Sequence, residues 1–163
     1  MKQLLISIGI SLPLLCAPLA IAQDTATEAS HEASSEASGL SGWYPHDEAL
    51  VLAEEHQRPI MLYYHSENCT FCDHMNMFVL GTSPVDELLA KHFVVASIDT
   101  SSDEGYRLQR QYRARGTPTF VFLALEDGAW REQGRLFGSR PRKEFAEEVL
   151  TICGEICLEH SQP

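Results

Sequence analysis

Basic residues are scarce in this chain: 12 Lys and Arg stand against 23 Asp and Glu, a net charge of −11 over 163 residues. There is no basic stripe and no aromatic platform interleaved with cations, which disfavours nucleic acid and anionic membrane surfaces as partners. Long apolar runs are also missing. The one candidate, Leu4 to Leu15, is broken by Pro13, is followed by Pro18, and is too short for a comfortable bilayer span. No internal repeat is visible. A second Cys-x-x-Cys, which would complete a zinc site with the first, is lacking. The histidine after the single Cys-x-x-Cys stands one place late for covalent haem attachment, as Cys72-Asp73-His74. Residues 23 to 42 contain no Lys or Arg and, apart from Leu40, no large apolar side chain, so they have nothing with which to build a core.

What is present begins with an export signal. Lys2 supplies a positive start, Leu4 to Leu15 an apolar centre, and Ala20-Ile21-Ala22 a small-x-small cleavage pattern before Gln23. Residues 1–22 are read as a removable signal peptide, with an uncleaved N-terminal anchor as the alternative. Cys16 follows Leu15 where a lipoprotein site needs a small residue, so lipidation is discounted. Loss of Lys2 with the signal leaves the mature chain one unit more acidic, with no stable membrane insertion. The signal means export, and the short, simple form of the chain points to a bacterial periplasm, with another secretory route as the alternative. Residues 23–42, rich in Ala, Ser, Thr and Glu, read as a disordered acidic spacer, and residues 43–163 as the folded domain. Four cysteines remain after the signal: Cys69, Cys72, Cys153 and Cys157, an even number that suits pairing in an oxidising compartment.

From Trp43 the pattern is globular. Ala49, Leu50, Leu52 and Ala53 mark a helix ending before Pro59. The apolar run Ile60 to Tyr64 reads as a buried strand. Phe71, Met75, Phe78 and Val79 recur at helical spacing, which places Cys72 inside a helix. Gly81 and Pro84 interrupt it, and Val85, Leu88 and Leu89 carry a helical segment to His92. Phe93 to Ile98 is the next strand, residues 103 to 113 a helix, and Thr119 to Leu123 a strand entered through Pro118. Asp127-Gly128 signals a hairpin turn into a strand from Ala129 to Leu136. Phe145, Val149, Leu150 and Cys153 share one face of a last helix. The alternation implies an α/β fold with a parallel core, extended by an antiparallel strand from the hairpin.

Cys69-Thr70-Phe71-Cys72 carries the chemistry. At a helix start, the first cysteine meets free N–H groups and the positive end of the helix dipole, which favour the attacking thiolate. Cys69 is the candidate nucleophile and Cys72 the resolving thiol; the inert alternative is a stabilising bridge. His65, Glu67 and His74 flank the pair and could tune a thiolate or solvate a rim. Met75 and Met77 are soft donors that would suit copper(I), but Met75 also lies on an apolar helix face, and no metal site or cofactor is assigned. Cys153 and Cys157, four apart, are favoured as a structural disulfide helped by fraying near Gly154; two buried thiols or a second redox pair stay open.

With the strand before Cys69, the Ile98-Asp99 strand end and Arg115-Gly116-Thr117-Pro118-Thr119 in view, the chain resembles the thioredoxin superfamily over Asp47 to Ile152. It is similar in detail to exported thioredoxin-like proteins with an insert in the active-site helix. The resemblance implies a central mixed sheet flanked by helices, the Cys-x-x-Cys at a helix N-terminus, and a cis peptide at Pro118 opposite the cysteines. It also implies that the Thr117 backbone pairs with substrate. Two positions depart from the thioredoxin pattern: Tyr63 stands where a buried Asp is usual and Val95 where a Lys is usual. The function implied is a periplasmic thiol–disulfide oxidoreductase. It would reduce or exchange disulfides of exported proteins and be recharged by a membrane thiol donor. The alternative is a thioredoxin-fold binding module or copper-delivery chaperone with a structural Cys-x-x-Cys.

Overall fold

The computed structural model describes residues 42–159, with side chains described as far as Gly154. The signal peptide and all of the spacer but Gly42 lie outside the described residues. In chain order the elements are β1 (Trp43–Tyr44), α1 (His46–Glu55), β2 (Ile60–His65), α2 (Thr70–Met75), a π-helical segment (Asn76–Leu80), α3 (Val85–His92), β3 (Val94–Asp99), α4 (Asp103–Gln111), β4 (Thr119–Glu126), β5 (Ala129–Phe137) and α5 (Arg142–Glu159). One five-stranded sheet runs in the order β1-β3-β2-β4-β5.

β2 is the central strand, and all of its residues from Ile60 to Tyr64 are buried. Such a continuous apolar run is what a strand covered on both faces requires. It pairs in parallel with β3, setting Tyr63 opposite Ser97 and His65 opposite Asp99. On its other side it pairs with β4 in antiparallel fashion, Tyr63 opposite Phe120. The parallel core is therefore confined to β1, β3 and β2; β4 reverses direction, contrary to a wholly parallel core ahead of the hairpin. β1, two residues long, carries no periodicity for a sequence reading to detect.

Alternation along the strands sends side chains to two cores. Met61, Tyr63, Phe120 and Phe122 pack with Met75, Val79, Leu80, Val85, Leu89, Phe145, Val149 and Cys153 from α2, the π segment, α3 and α5. Ile60, Leu62, Tyr64, Val121 and Leu123 pack on the opposite face with Ala49 and Ala53 of α1 and Leu108 of α4. Helix α4 is capped by Ser102, whose Oγ accepts the Gly105 N–H at 3.0 Å. Gly105 lies against the end of β3: a Cβ there would stand 1.9 Å from the Asp99 carbonyl oxygen. The β4–β5 hairpin turns on Asp127 and Gly128, both at positive φ (52° and 74°), as a type I′ turn demands.

Two helical faces differ from the sequence reading. Phe71 and Phe78 are 66% and 52% exposed, and Cys72, Met75, Val79 and Leu80 are buried in their place. On α5, Leu150 is exposed while Phe145, Val149 and Cys153 are buried.

Candidate functional site

The site lies at the C-terminal end of β2, where the strand must turn into α2. Thr100, beyond β3, fastens that end twice: its N–H and its hydroxyl both donate to the His65 carbonyl, at 2.8 and 2.9 Å. The Glu67 N–H donates to Ser101 Oγ at 3.1 Å, tying the next residue of the loop to the same segment. Asn68 takes a positive φ of 58°, which asparagine tolerates better than most residues, and swings the chain into the helix.

Cys69 is the N-cap of α2. Its carbonyl accepts the N–H groups of Cys72 and Asp73, and its Sγ accepts the Cys72 N–H at 3.2 Å. Cys69 and Cys72 are joined as a disulfide, with Cα atoms 5.1 Å apart. The two sulfurs are not equivalent. Cys69 is partly exposed, while Cys72 is 2% exposed in the core. An incoming group can therefore reach Cys69, and only Cys69 can be attacked or attack without the helix moving.

The loop before β4 closes the site from the other side. The Thr117–Pro118 peptide is cis, and Gly116 before it sits at φ +78°. A Cβ on Gly116 would come within 3.2 Å of the Phe137 ring, so glycine serves both the backbone angle and the close approach. The Thr119 hydroxyl donates to the Gly116 carbonyl at 2.8 Å, and the Pro118 carbonyl accepts the Gly138 N–H at 2.9 Å. Pro118 is buried. The Thr117 hydroxyl reaches the site itself, donating to Cys69 Sγ at 3.4 Å and lying 3.1 Å from Ser66 Oγ. Among the described residues no backbone hydrogen bond engages the Thr117 N–H or carbonyl.

Beneath the helix, Tyr63 is fully buried and donates its hydroxyl to Asn76 Oδ1 at 2.9 Å. Its ring stacks on Phe120 and meets the edge of Trp43. Burial, with the charge of Asp73 adding to it, pushes the phenol well above the ordinary tyrosine range, against the hydrogen bond to Asn76. Tyr63 therefore stays neutral and serves as a packing and hydrogen-bonding residue. Val95, the other departure, is buried in the same core.

The flanking candidates separate. His65 is partly buried, 5.2 Å from the Tyr63 ring, and hydrogen-bonded to Ser97 Oγ at 2.8 Å. Burial lowers its pKa, and Asp99 partly offsets this. His74 turns away from the cysteines to Ser139 Oγ at 2.9 Å and touches the Phe78 ring. Glu67 and Arg115 are exposed. Among the described residues no group of three or more His, Cys, Asp or Glu side chains is placed to hold a metal ion. Cys153 is buried in the core, and its expected bridge to Cys157 involves a side chain outside the described residues. Ser66 and Asn76, which touch the site through Thr117 and Tyr63, escaped the sequence reading. A hydroxyl in a loop and an amide on a helix carry no spacing that marks them.

Comparison with known proteins bears on this arrangement. The thioredoxin-like domain family matches residues 46–151. No curated protein matches. Among solved structures, a thioredoxin from Thermus thermophilus is 54% identical, with a TM-score of 0.66, over 69% of this chain and 87% of that one. The oxidoreductase DsbH is 19% identical at a TM-score of 0.56, over 68% of this chain and 82% of its own. The C-terminal domain of DsbD from Neisseria meningitidis, in its oxidised form, is 21% identical at a TM-score of 0.51, over 64% and 89%. The latter two show a shared fold. No helix among the described residues is long and apolar enough to cross a membrane.

Proposed function

The chain belongs to the thioredoxin-like family and is a thiol–disulfide oxidoreductase, and from that premise we propose that it reduces or exchanges disulfides of exported proteins in the periplasm, with Cys69 as nucleophile and Cys72 as resolving thiol. One observation carries the assignment of roles: a partly exposed Cys69 caps the helix and faces the Thr117–Pro118 loop, while its partner Cys72 is buried.

Starting from the dithiol, the Cys69 thiolate attacks one sulfur of a substrate disulfide. A Cys69–substrate bond forms, the substrate bond breaks, and the departing substrate thiolate takes a proton from solvent. Cys72 then gives up its proton and its sulfur attacks Cys69 Sγ, forming the Cys69–Cys72 bond and breaking the Cys69–substrate bond. The second substrate sulfur leaves and takes up a proton in place of the one Cys72 released, and two electrons have passed from the dithiol to the substrate. The Thr117 N–H and carbonyl lend an extended substrate segment two backbone hydrogen bonds beside the attacked sulfur. A membrane thiol donor returns two electrons to the Cys69–Cys72 disulfide. The signal-like residues 1–22 and the cysteine pairing support the periplasmic setting.

Reduction of insulin disulfides in dithiothreitol tests the reading. The mature protein accelerates it, Cys69→Ser abolishes the acceleration, and reduced Cys72→Ser, freed of dithiothreitol before insulin is added, accumulates a mixed disulfide on Cys69. A wild-type protein no faster than dithiothreitol alone, with Cys69→Ser indistinguishable from it, assigns the pair to structure and overturns the proposal.

A further inference from the structure

Two hydroxyls reach Cys69 in series. Thr117 Oγ1 is 3.4 Å from Cys69 Sγ and, on its other side, 3.1 Å from Ser66 Oγ. Thr117 is distant in the chain from both, at a sequence separation of 48 from Cys69 and 51 from Ser66. Ser66 is held in reach because its neighbours on both sides are fastened, His65 through its carbonyl and Glu67 through its N–H. Thr117 is held by the cis loop, whose following residues are locked by Thr119 and Gly138.

A hydroxyl has one proton and two lone pairs. If Thr117 gives its proton to sulfur, its oxygen can only accept from Ser66, so Ser66 must be the donor of that second bond. The chain then runs one way, Ser66 O–H to Thr117 O–H to Cys69 Sγ. Donation from Ser66 polarises the Thr117 hydroxyl and strengthens what it donates onward. Sulfur in a disulfide accepts weakly, whereas a thiolate is a full negative charge and accepts strongly, so the relay favours the reduced, ionised form.

We infer that Ser66 is a positioning residue for catalysis: it holds and polarises the Thr117 hydroxyl so that Thr117 stabilises the Cys69 thiolate. Ser66 does not touch the sulfur and acts only through Thr117. The inference rests on Cys69 being the nucleophile proposed above. It also separates the two hydroxyls from the backbone groups of Thr117, which are left for substrate.

The test is the pH dependence of iodoacetamide alkylation at Cys69 in the reduced full-length mature protein, followed by mass spectrometry, alongside the glutathione equilibrium of Cys69–Cys72. Thr117→Val removes the donor to sulfur at constant shape and raises the Cys69 pKa by about one unit, a roughly tenfold loss of thiolate below the pKa. Ser66→Ala raises it by about half a unit, roughly threefold. Both variants shift the glutathione equilibrium toward the disulfide. Thr117→Ser, which keeps a hydroxyl, restores most of the wild-type value and controls for damage to the loop. The decisive variant is Ser66→Ala/Thr117→Val: it matches Thr117→Val alone, because Ser66 has nothing to act through. An unchanged pKa in Ser66→Ala, or additive shifts in the double variant, overturns the relay. Insulin reduction by the same wild-type preparation keeps the two readings apart. If reduction is normal and Ser66→Ala is silent, the relay alone fails. If the wild type is inactive, the proposed function fails first.

Discussion

Tyr63→Phe separates the structural use of this side chain from any chemical one. The ring is fully buried, stacked on Phe120 at 5.0 Å and edge-on to Trp43 at 5.5 Å, and all of those contacts survive the substitution. What is lost is one hydrogen bond of 2.9 Å to Asn76 Oδ1. Asn76 is partly exposed, so water can reach its freed oxygen, and the full penalty for a buried unpaired acceptor does not apply. The cost is therefore that of a neutral hydrogen bond, about 1 kcal/mol. For a fold of this size that lowers Tm by about 4 °C. Urea unfolding of the oxidised protein should show the midpoint falling at unchanged slope. Asn76→Ala should cost a similar amount for the same bond, and the double variant should fall short of the sum by about 1 kcal/mol. The chemistry should be untouched. Burial holds the phenol well above its ordinary range, so it neither gives nor takes a proton at working pH. The pH profile of insulin reduction by Tyr63→Phe should superimpose on that of the wild type. A displaced profile would show that the phenol titrates in the reaction, and a loss above about 3 kcal/mol would show that the hydroxyl holds more than this one bond.

Two further outcomes follow from the packing and the titration of the same region. Gly105→Ala sets helix propensity, which gains about 1 kcal/mol, against a Cβ placed 1.9 Å from the Asp99 carbonyl oxygen and 2.6 Å from its carbon. Backbone cannot rotate away as a side-chain tip can, so the clash should win, with a net loss of about 2 kcal/mol in urea unfolding; a stabilised variant would refute this. His65→Gln addresses pH. Burial lowers the folded-state pKa of His65 below its unfolded value, so the unfolded chain binds more protons and stability is lost as pH falls below about 6.5. His65→Gln should flatten the decline in urea midpoint between pH 7.5 and 5, with the contribution of His92, also lowered, present in both proteins and cancelling. An equal slope in wild type and variant would remove His65 from the titration.

The α/β class and the dithiol motif were legible because they are written locally. Ile60 to Tyr64 is a short apolar run without alternation, as a doubly covered strand is, and Asp127-Gly128 has the composition of its turn. Periodicity was less reliable on the active-site helix. The spacing of Phe71, Met75, Phe78 and Val79 fits a helix, and Met75 and Val79 are buried, but Phe71 and Phe78 at the edge of that stripe are exposed while Cys72 on the other edge is buried. Helical spacing identifies a face from apolar residues alone, and it cannot distinguish a core phenylalanine from one left exposed beside a reactive disulfide. The π-helical stretch from Asn76 to Leu80 compounds this by rotating the later residues out of α-helical phase. The direction of β4 was hidden for a different reason. Whether a strand returns parallel or antiparallel depends on the path of the connection, and the 103–118 region holds a helix and a loop that permit either. Ser66 and Asn76 became visible only once distant segments were brought together.

That dependence on distant segments has a consequence for the newly made chain. The bonds around Cys69 span 35 residues at His65–Thr100, 48 at Cys69–Thr117 and 51 at Ser66–Thr117. Closing loops of that length is an entropic cost borne before any of the contacts can reward it, so such contacts form together with the rest of the sheet. An incompletely folded copy carries the two cysteines but none of the surroundings that set them apart from ordinary thiols. A Cys69 that differs from an ordinary thiol is therefore a property of the completed fold alone.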